Sequence, residues 1–358
     1  MATSYRFFLT GANGYIAQHI LSQLLEDGHS VRAVVRSQSK VDMLKKSFSK
    51  YVDTPQLDFA IVPDITTAGA FDAALESTPP FDIVLHTASP FFLRPIPNSD
   101  YLDPAIKGTT EVLHGITRVA LSVKRVVVTS SFAAMYNMAQ NPISDPPKIC
   151  TNEDWNDVTL EEALATINPM FTYPASKKFA EKAAWDFVKE NKVNFELAVV
   201  NPPGVYGPLF DPSQIAKPED LNESTGLIYN GLLRPDLKST DPVGTTFLYL
   251  YADVRDVARA HLLAATVPEA AGKRWFAVAG ELSNQQVANY LREALPEKSD
   301  VIPIGEPEKG SWKPEGWYGA SAPEVEKVLG LKYRSAEETI KDLAPQLLEI
   351  EKRAAASS

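Results

Sequence analysis

The stretch FFLTGANGYIAQHILSQLL at residues 7–25 decides the fold. It opens with an apolar run typical of a buried strand and continues, after a glycine-rich turn, with the 3.6-residue period of a helix. The turn carries Gly11, Gly14 and Ala17, a G-x-x-G-x-x-A variant of the phosphate-binding fingerprint. Gly11 allows a tight turn, Gly14 lets the backbone approach a pyrophosphate, and Ala17 permits close packing of the helix. Such a turn can also merely connect a strand and a helix, but its position in the first strand–turn–helix unit favours dinucleotide binding.

Outward from this unit, short β-branched or aromatic runs alternate with longer segments of helical period as far as residue 200. The predicted strands are Tyr5–Thr10, Val31–Val35, Leu57–Val62, Asp82–His86, Lys124–Thr129 and Phe195–Val200. The predicted helices between them are Tyr15–Glu26, Ser39–Phe48, Ala68–Glu76, Tyr101–Leu121 and Ser176–Glu190. This alternation predicts the α/β class, a Rossmann doubly wound parallel sheet of strand order 3-2-1-4-5-6.

The composition of the sequence changes after Asn201, where NPPGVYGPLFDPS is rich in proline and glycine. We predict a Rossmann dinucleotide-binding domain at residues 1–206 and a smaller C-terminal substrate-binding lobe at residues 207–358. Within that lobe, residues 247–266 show apolar positions at helical spacing. We expect this segment to pack back on the Rossmann core.

Composition excludes several classes of function. The 358 residues carry a formal net charge of −10, which disfavours nucleic-acid backbones and anionic membranes as partners. No apolar run approaches the roughly 20 residues of a membrane span, and the first residues lack the features of a signal peptide. The single cysteine, Cys150, favours a reducing compartment, so we expect a cytoplasmic protein. The five histidines form no His-x-x-x-His pair and no cluster at metal-ligand spacing, so we infer no metal site.

The residues at the end of the second predicted strand indicate which cofactor is preferred. An NAD-specific enzyme would show Asp or Glu there, to hold the ribose hydroxyls. This sequence instead reads VRAVVRSQSK, with Arg36 at that position and Lys40 one helical turn later. A guanidinium suits a ribose 2′-phosphate, whereas two solvated surface cations are the alternative interpretation. The position relative to the fingerprint favours the phosphate, and therefore NADP(H).

Three further residues form a candidate catalytic group. The strand KRVVVTSSFAA delivers Ser130 and Ser131 at its carboxyl end, where ligands bind in an open parallel sheet. Further on, Tyr173 and Lys177 lie four residues apart at the start of a helix and can face one direction. Carbonyl reduction needs a proton on the developing alkoxide, which a phenol beside an ammonium can supply. We predict that Ser131 polarises the substrate oxygen, that Tyr173 is the proton donor and that Ser130 points away. Taken alone, a Tyr and a Lys at this spacing are usually ordinary surface or core.

Eight motifs of the chain belong together: TGANGYIA, VVRSQSK, VPDI, LHTASPF, VVVTSS, YPASKKFAEKAAW, NPPGVYGP and LYADVRDVARAH. They resemble the extended short-chain dehydrogenase/reductase family, most closely its fungal NADPH-dependent methylglyoxal and ketone (carbonyl) reductases. Dihydroflavonol and cinnamoyl-CoA reductases are related to these. The resemblance covers nearly the whole chain and is strongest over residues 7–210.

The resemblance implies contacts for each part of the cofactor. Asn13, Tyr15 and Ile16 join Gly11 and Gly14 at the phosphates, and Asp64 and Ile65 flank the adenine. Thr87, Ala88 and Ser89 line the central stretch. The nicotinamide end is implied to contact Pro202, Val205 and Ser224 together with Tyr173 and Lys177.

The resemblance also implies a substrate pocket lined by Phe91, Phe132, Tyr136, Met170 and Gly204. Isolated aromatic residues are more often ordinary core, and that alternative stays open here. Gly204 stands where relatives often carry a larger side chain, so we expect open space beside the nicotinamide. The alternative is a glycine required by a positive φ.

The sequence therefore predicts an NADPH-dependent carbonyl reductase, or ketoreductase, that converts ketones and aldehydes to alcohols by hydride transfer. An NAD-dependent sugar-nucleotide epimerase or dehydratase is one alternative, because it can share the fold and the Tyr-x-x-x-Lys pair. A non-catalytic NADP-sensing regulator is the other. We expect a small-molecule carbonyl substrate, no nucleic-acid or membrane partner, and a monomer or homodimer.

Overall fold

A sheet of seven parallel strands forms the centre of the structure, a computed structural model that describes residues 4–89, 101–309 and 313–356. The strands of the described residues are β1 Arg6–Thr10, β2 Ser30–Val35, β3 Leu57–Ile61, β4 Ile83–His86, β5 Arg125–Thr129, β6 Ile149–Cys150, β7 Glu196–Asn201, β8 Gly204–Tyr206, β9 Leu250–Asp253, β10 Arg274–Phe276, β11 Gly280–Glu281 and β12 Gly319–Ala320. The helices are α1 Tyr15–Glu26, α2 Gln38–Ser47, α3 Asp72–Leu75, α4 Leu102–Val119, α5 Leu160–Leu164, α6 Pro169–Glu190, α7 Glu223–Leu232, α8 Val254–Thr266, α9 Asn284–Ala294, α10 Pro323–Leu329 and α11 Ala336–Ala356.

The order of the large sheet is β3-β2-β1-β4-β5-β7-β10. The six predicted strands take the predicted order 3-2-1-4-5-6, so the doubly wound fold is confirmed. The seventh strand, β10, was not predicted. It has only three residues and pairs with β7 from a distant part of the chain, so no local periodicity marks it.

The central strands β1, β4, β5 and β7 of this sheet are buried on both faces, as expected when helices cover a parallel sheet. In β1, Phe7 and Leu9 contribute to one apolar cluster, which contains α1 and α8, while Phe8 contributes to another, which contains α4. The alternation of side chains along one strand thus supplies both halves of the core. It also explains why β1 reads as a continuous apolar run.

Two helices differ from the predictions by more than two residues at one end. Helix α6 begins at Pro169, not at Ser176, because the Asn168 side chain accepts a hydrogen bond from the Met170 N–H (3.0 Å) and caps the helix. Tyr173 and Lys177 therefore lie inside an established helix. The predicted helix at residues 68–76 is shorter, with only Asp72–Leu75 helical.

The C-terminal part of the chain contributes to both regions of the molecule. Helix α8 packs against α1, and β10 extends the large sheet. Helices α7, α9 and α11 form a separate apolar cluster. A small sheet of order β11-β9-β8 links these regions. The domain boundary at residues 206/207, and the return of residues 247–266 to the Rossmann core, stay predictions. No helix in the described ranges is long and apolar enough to cross a membrane.

Candidate active site

Many of the predicted site residues in the described ranges lie at one edge of the large sheet. Because its strands are parallel, their carboxyl ends meet there, and each is followed by a loop or helix N-terminus. The fingerprint turn follows β1, Arg36 follows β2, Thr87 follows β4, Ser131 follows β5 and Pro202 follows β7. Residues from distant segments thus meet at the edge where open α/β sheets bind ligands.

The turn between β1 and α1 is held in a geometry that only glycine adopts easily. Gly11 has φ +65°, and a Cβ atom on it would lie 2.9 Å from the backbone of Ala88. The Gly14 N–H donates to the Gly11 carbonyl (2.9 Å), and Ala12 N–H donates to Val34 O (3.2 Å). Gly14 is exposed and occupies the N-cap position of α1. Because it has no side chain to cover them, the amides at the N-terminus of α1 face the sheet edge.

Three predicted neighbours of this turn have distinct surroundings. The Tyr15 hydroxyl donates to the Gly207 carbonyl (2.7 Å), so it links the turn to the segment after β8. Ile16 packs in an apolar cluster with Val205. The Asn13 carbonyl accepts from the Gln18 amide (3.1 Å). The structure thus brings Val205 and the first turn together, although 192 residues separate Tyr15 from Gly207.

The segment after β4 is fixed against the first turn. Thr87 Oγ1 donates to the Thr10 carbonyl (2.6 Å), and the N–H groups of Thr87 and Ala88 donate to Thr10 Oγ1 (3.1 and 3.2 Å). Since Thr10 Oγ1 accepts both, its own proton is directed to His86 Nδ1 (2.9 Å). Thr87 and Ala88 therefore lie next to Gly11. Their contact with a cofactor, like that of Ser89, stays a prediction.

The two predicted phosphate-binding cations lie on the surface beyond β2. Arg36 is exposed and Lys40 is half-buried in the first turn of α2. Neither has a carboxylate partner within the described part of the chain. Cations without a protein counter-charge are available to bind an anion, and a ribose 2′-phosphate is such an anion.

Asp64 and Ile65 lie past the end of β3, on the same side of the sheet. The Asp64 carboxylate accepts from the Thr66 N–H (2.9 Å), Thr66 Oγ1 (2.7 Å) and Thr67 Oγ1 (3.2 Å), and the bonds from Thr66 lower its pKa. Ile65 packs close to Gly108 of α4, where a Cβ atom would lie 2.5 Å from Ile65 Cδ1.

The three candidate catalytic residues come together at the end of β5. Ser131 follows the strand and its hydroxyl is hydrogen-bonded to the Tyr173 side chain. Ser130 instead donates its hydroxyl proton to Glu181 Oε2 (2.6 Å) and is buried. Of the two adjacent serines, Ser131 therefore faces the cleft. Lys177 is buried one helical turn after Tyr173.

Burial controls the ionisation of this pair. It raises the pKa of Tyr173 to about 12, against the opposing effect of the hydrogen bond with Ser131. It lowers the pKa of Lys177 to about 8, against the favourable charge of Glu181. Tyr173 is thus a protonated phenol at neutral pH and a potential proton donor.

A cavity of about 510 Å³ opens directly over Ser131 and Tyr173. Its wall includes four other predicted residues: Phe132, Met170, Gly204 and Ser224. The wall is mostly apolar, which suits a hydrophobic carbonyl compound with a few fixed polar contacts. Phe91 lies outside the described residues.

Two pocket predictions are corrected. Tyr136 does not line this cavity, because its ring stacks against Phe132 (5.7 Å between centroids) and contacts Tyr318 (4.4 Å) in an aromatic cluster. The space above Gly204 is not open: a Cβ atom there would lie 3.0 Å from Tyr206 Cε2 and 3.1 Å from the Leu250 carbonyl. Nor does Gly204 have a positive φ, so the alternative explanation is excluded as well.

Several residues of the cavity wall were not predicted, among them Met138, Tyr206, Glu223, Leu227 and Phe247. Tyr206 could have been found, since it lies two positions after Gly204 and shares its face of β8. Its hydroxyl has no hydrogen-bond partner among the residues described, and burial raises its pKa to about 12. Leu227 and Phe247 are exposed at 61% and 54% and carry no local signal of their role.

A doubly wound sheet with a fingerprint turn and a serine–tyrosine–lysine group defines the short-chain dehydrogenase/reductase class. The chain belongs to the NAD dependent epimerase/dehydratase family, whose model matches residues 7–279. The predicted resemblance to fungal NADPH-dependent reductases is also confirmed, because individual relatives of that kind match nearly the whole chain.

Two curated relatives and one solved structure illustrate the similarity. Ketoreductase azaE of Aspergillus niger is 39% identical over 345 residues, covering 96% of this chain and 98% of its own. NADPH-dependent methylglyoxal reductase GRE2 of Saccharomyces cerevisiae is 39% identical, covering 97% and 99%. The crystal structure of yeast methylglyoxal/isovaleraldehyde reductase Gre2 complexed with NADPH has a TM-score of 0.88 at 38% identity, and covers 97% of this chain and 99% of that one.

Proposed function

We propose that this protein is an NADPH-dependent carbonyl reductase, a ketoreductase similar to methylglyoxal reductases, that converts ketones and aldehydes to alcohols. The observation that carries the proposal is the meeting of Ser131, Tyr173 and Lys177 beneath one apolar cavity at the carboxyl edge of the sheet. The names of the fungal relatives support the same reaction class and cofactor.

The residues present fit NADPH. The positive φ of Gly11 and the exposed Gly14 leave backbone amides accessible to a pyrophosphate, and Arg36 with Lys40 supplies unpaired positive charge for the 2′-phosphate. Further contacts proposed for the cofactor lie along the same edge: Asp64, Ile65, Thr87, Ala88, Ser89, Pro202, Val205 and Ser224. When bound, NADPH supplies the hydride that reduces the carbonyl carbon.

The chain's own residues supply orientation and the proton. The Ser131 hydroxyl donates to the substrate oxygen and fixes its position. Tyr173 gives its phenolic proton to the oxygen as negative charge develops there. The positive charge of Lys177 stabilises the resulting phenolate, while the apolar wall limits access of water to the reacting atoms.

Turnover measurements separate this function from its rivals. NADPH and NADH consumption are measured with methylglyoxal and with an aryl ketone. We expect turnover with both substrates and a preference for NADPH. Binding of NADPH without turnover of any carbonyl would favour a sensing role, and a preference for NADH with sugar-nucleotide conversion would favour an epimerase.

The assembly and location are also proposals. We infer a cytoplasmic monomer or homodimer with no nucleic-acid partner, supported by the buried single cysteine and the net charge of −10. Helices α4 and α6 pack side by side and offer a surface for a two-fold partner. Light scattering after size-exclusion chromatography distinguishes a mass near 39.3 kDa from twice that value.

A further inference from the structure

Glu181 is a buried carboxylate on the catalytic helix that has no role in the steps above. It lies on α6 one turn after Lys177 and two turns after Tyr173, so the three share one face of the helix. Its side chain has no solvent exposure. A buried charge is costly unless its surroundings supply hydrogen bonds and an opposite charge.

The surroundings of Glu181 supply both. Oε1 accepts from Arg274 Nε (2.5 Å) and from Trp185 Nε1 (3.3 Å). Oε2 accepts from Ser130 Oγ (2.6 Å), Asn201 Nδ2 (2.8 Å) and Arg274 Nη2 (3.3 Å). These donors come from β7, β10, the end of β5 and α6 itself, so one carboxylate joins the catalytic helix to three strands of the sheet.

Two of these bonds lead to the catalytic serine. Ser130 precedes Ser131 in the chain, and adjacent residues of an extended segment point in opposite directions. A Ser130 hydroxyl held by Glu181 therefore directs Ser131 to the cavity. The Asn201 amide that binds Glu181 also donates to the Ser131 carbonyl (3.3 Å), so the backbone at Ser131 is fixed as well.

The carboxylate also acts on the catalytic lysine. Within the described ranges, the titratable groups around Lys177 and its partner phenol are His86 from β4, Tyr101 before α4, and Tyr173 and Glu181 from α6. Burial lowers the pKa of His86 to about 3, so it is neutral at working pH. Glu181 is the carboxylate in this group whose charge favours protonated Lys177.

We propose that Glu181 is a positioning residue, which orients Ser131 through Ser130 and Asn201 and keeps a compensating charge beside Lys177. The inference rests on the proposed reductase function. Since the carboxylate does not touch the cavity, its effect on the reaction is indirect.

The test is Glu181→Gln, which keeps the size of the side chain but removes its charge and places an amide N–H₂ against existing donors. We expect kcat to fall at least ~10-fold while the KM for NADPH changes less than about threefold. The negative charge of Glu181 opposes the effect of burial, which lowers the pKa of Lys177. Without that charge the pKa of Lys177 falls further. The alkaline limb of the kcat profile should therefore move to lower pH by about one unit.

A matched control is Asp256→Asn on α8. Asp256 is equally buried and pairs with Arg334, accepting from its N–H (2.7 Å), but it has no contact with the catalytic group. We expect Asp256→Asn to lower the midpoint of thermal unfolding as Glu181→Gln does. Its kcat should stay within about twofold of wild type, and the alkaline limb of its kcat profile should not shift.

Ser130→Ala is the second variant, because it removes one donor and leaves the ion pair with Arg274 intact. It should fold normally and lower kcat about 2- to 10-fold without moving the pH limb. Two outcomes overturn the inference. One is a wild-type kcat in Ser130→Ala, and the other is a Glu181→Gln enzyme whose kcat and alkaline limb of the kcat profile match those of Asp256→Asn. A wild-type protein that turns over no carbonyl overturns the proposed function itself.

Discussion

At the scale of single residues, neighbouring side chains decide which chemically similar group acts. Ser130 and Ser131 have the same hydroxyl, but one is buried against Glu181 and the other is hydrogen-bonded to Tyr173. Likewise, Tyr173 and Tyr206 both line the cavity, yet only Tyr173 has a lysine one helical turn away. Residue type alone does not assign a role in this site.

Removing the phenolic hydroxyl tests the proton donor. Tyr173→Phe should lower the reduction rate at least ~10²-fold while NADPH binding stays nearly intact, because only the transferable proton is lost. The control is Tyr136→Phe, which removes a buried phenol outside the cavity wall. Steady-state rates and NADPH fluorescence titration give both quantities. More than half of wild-type turnover in Tyr173→Phe would refute the mechanism.

The pH dependence of the wild-type rate follows from the same group. Protonated Lys177 supports proton donation, and its pKa is lowered to about 8, so kcat for reduction should fall as the pH rises through that value. A kcat profile between pH 6 and 10 is the measurement. A flat profile across this range would show that Lys177 does not carry the charge that assists Tyr173.

Cofactor choice tests the surface cations. Arg36→Asp replaces a phosphate partner with an anion, so the KM for NADPH should rise at least ~10-fold while the KM for NADH changes far less. Lys192→Asp makes the same change in net charge on an exposed loop after α6 and should leave both constants unchanged. Equal effects of Arg36→Asp on the two cofactors would mean that Arg36 does not read the 2′-phosphate.

At the scale of elements, the turn between β1 and α1 separates two roles of glycine. Gly11 supports the fold, because its φ is +65° and any Cβ atom would meet the backbone after β4. Gly14 has φ −72°, and its nearest such contact is the Gly11 carbonyl at 3.2 Å. The same sequence motif therefore contains one position that the backbone requires to be glycine and one exposed position that is proposed to face the cofactor.

Two alanine substitutions distinguish these roles. Gly11→Ala should lower the free energy of unfolding by about 2–4 kcal/mol and abolish NADPH binding, through strain and collision. Gly14→Ala should cost less than about 1 kcal/mol but weaken NADPH binding at least ~10-fold, since the new methyl group occupies the surface that faces the phosphates. Thermal melts and fluorescence titrations decide. An unchanged melt for Gly11→Ala, or unchanged affinity for Gly14→Ala, would contradict the assignment.

At the scale of the whole molecule, buried histidines connect distant segments. His19 of α1 bonds the Pro208 carbonyl (3.0 Å), His86 bonds Thr10 (2.9 Å), and His261 of α8 bonds Thr129 at the end of β5 (2.7 Å). Burial lowers their pKa values to about 4, 3 and 4 respectively. All three are thus neutral in the folded protein at pH 7.

Acidification should therefore destabilise the fold. In the unfolded chain these histidines take up protons as the pH falls below about 6.5, whereas in the folded protein they do so only near their lowered pKa values. Lowering the pH from 7 to 5 should cost about 1–2 kcal/mol per histidine. Urea unfolding across this range measures the slope. His261→Asn should reduce the slope and exposed His114→Asn should not; equal slopes in both variants would contradict this explanation.

Much of the fold and part of the candidate site could be predicted from the sequence alone. The six strands and the fingerprint turn depend on local periodicity and on small residues at fixed spacing, which neighbouring residues determine. Their order follows from the topology rule for doubly wound sheets. Arg36, Ser131, Tyr173 and Lys177 were predicted as site residues because each lies close to the end or the start of a predicted element. Placing them at one edge needed only the rule that parallel strands end together.

The tertiary structure decided what depends on contacts between distant segments. No periodic signal in the sequence marks four features of the structure. They are the short strand β10, the closed space above Gly204, the position of Tyr136 away from the cavity wall and the contacts of the Glu181 carboxylate. Each is fixed by a partner far away in sequence: Arg274 meets Glu181 across 93 residues, for example. The physical reason is that side-chain packing and buried hydrogen bonds are properties of the assembled core, whereas periodicity and turn chemistry act within a few residues.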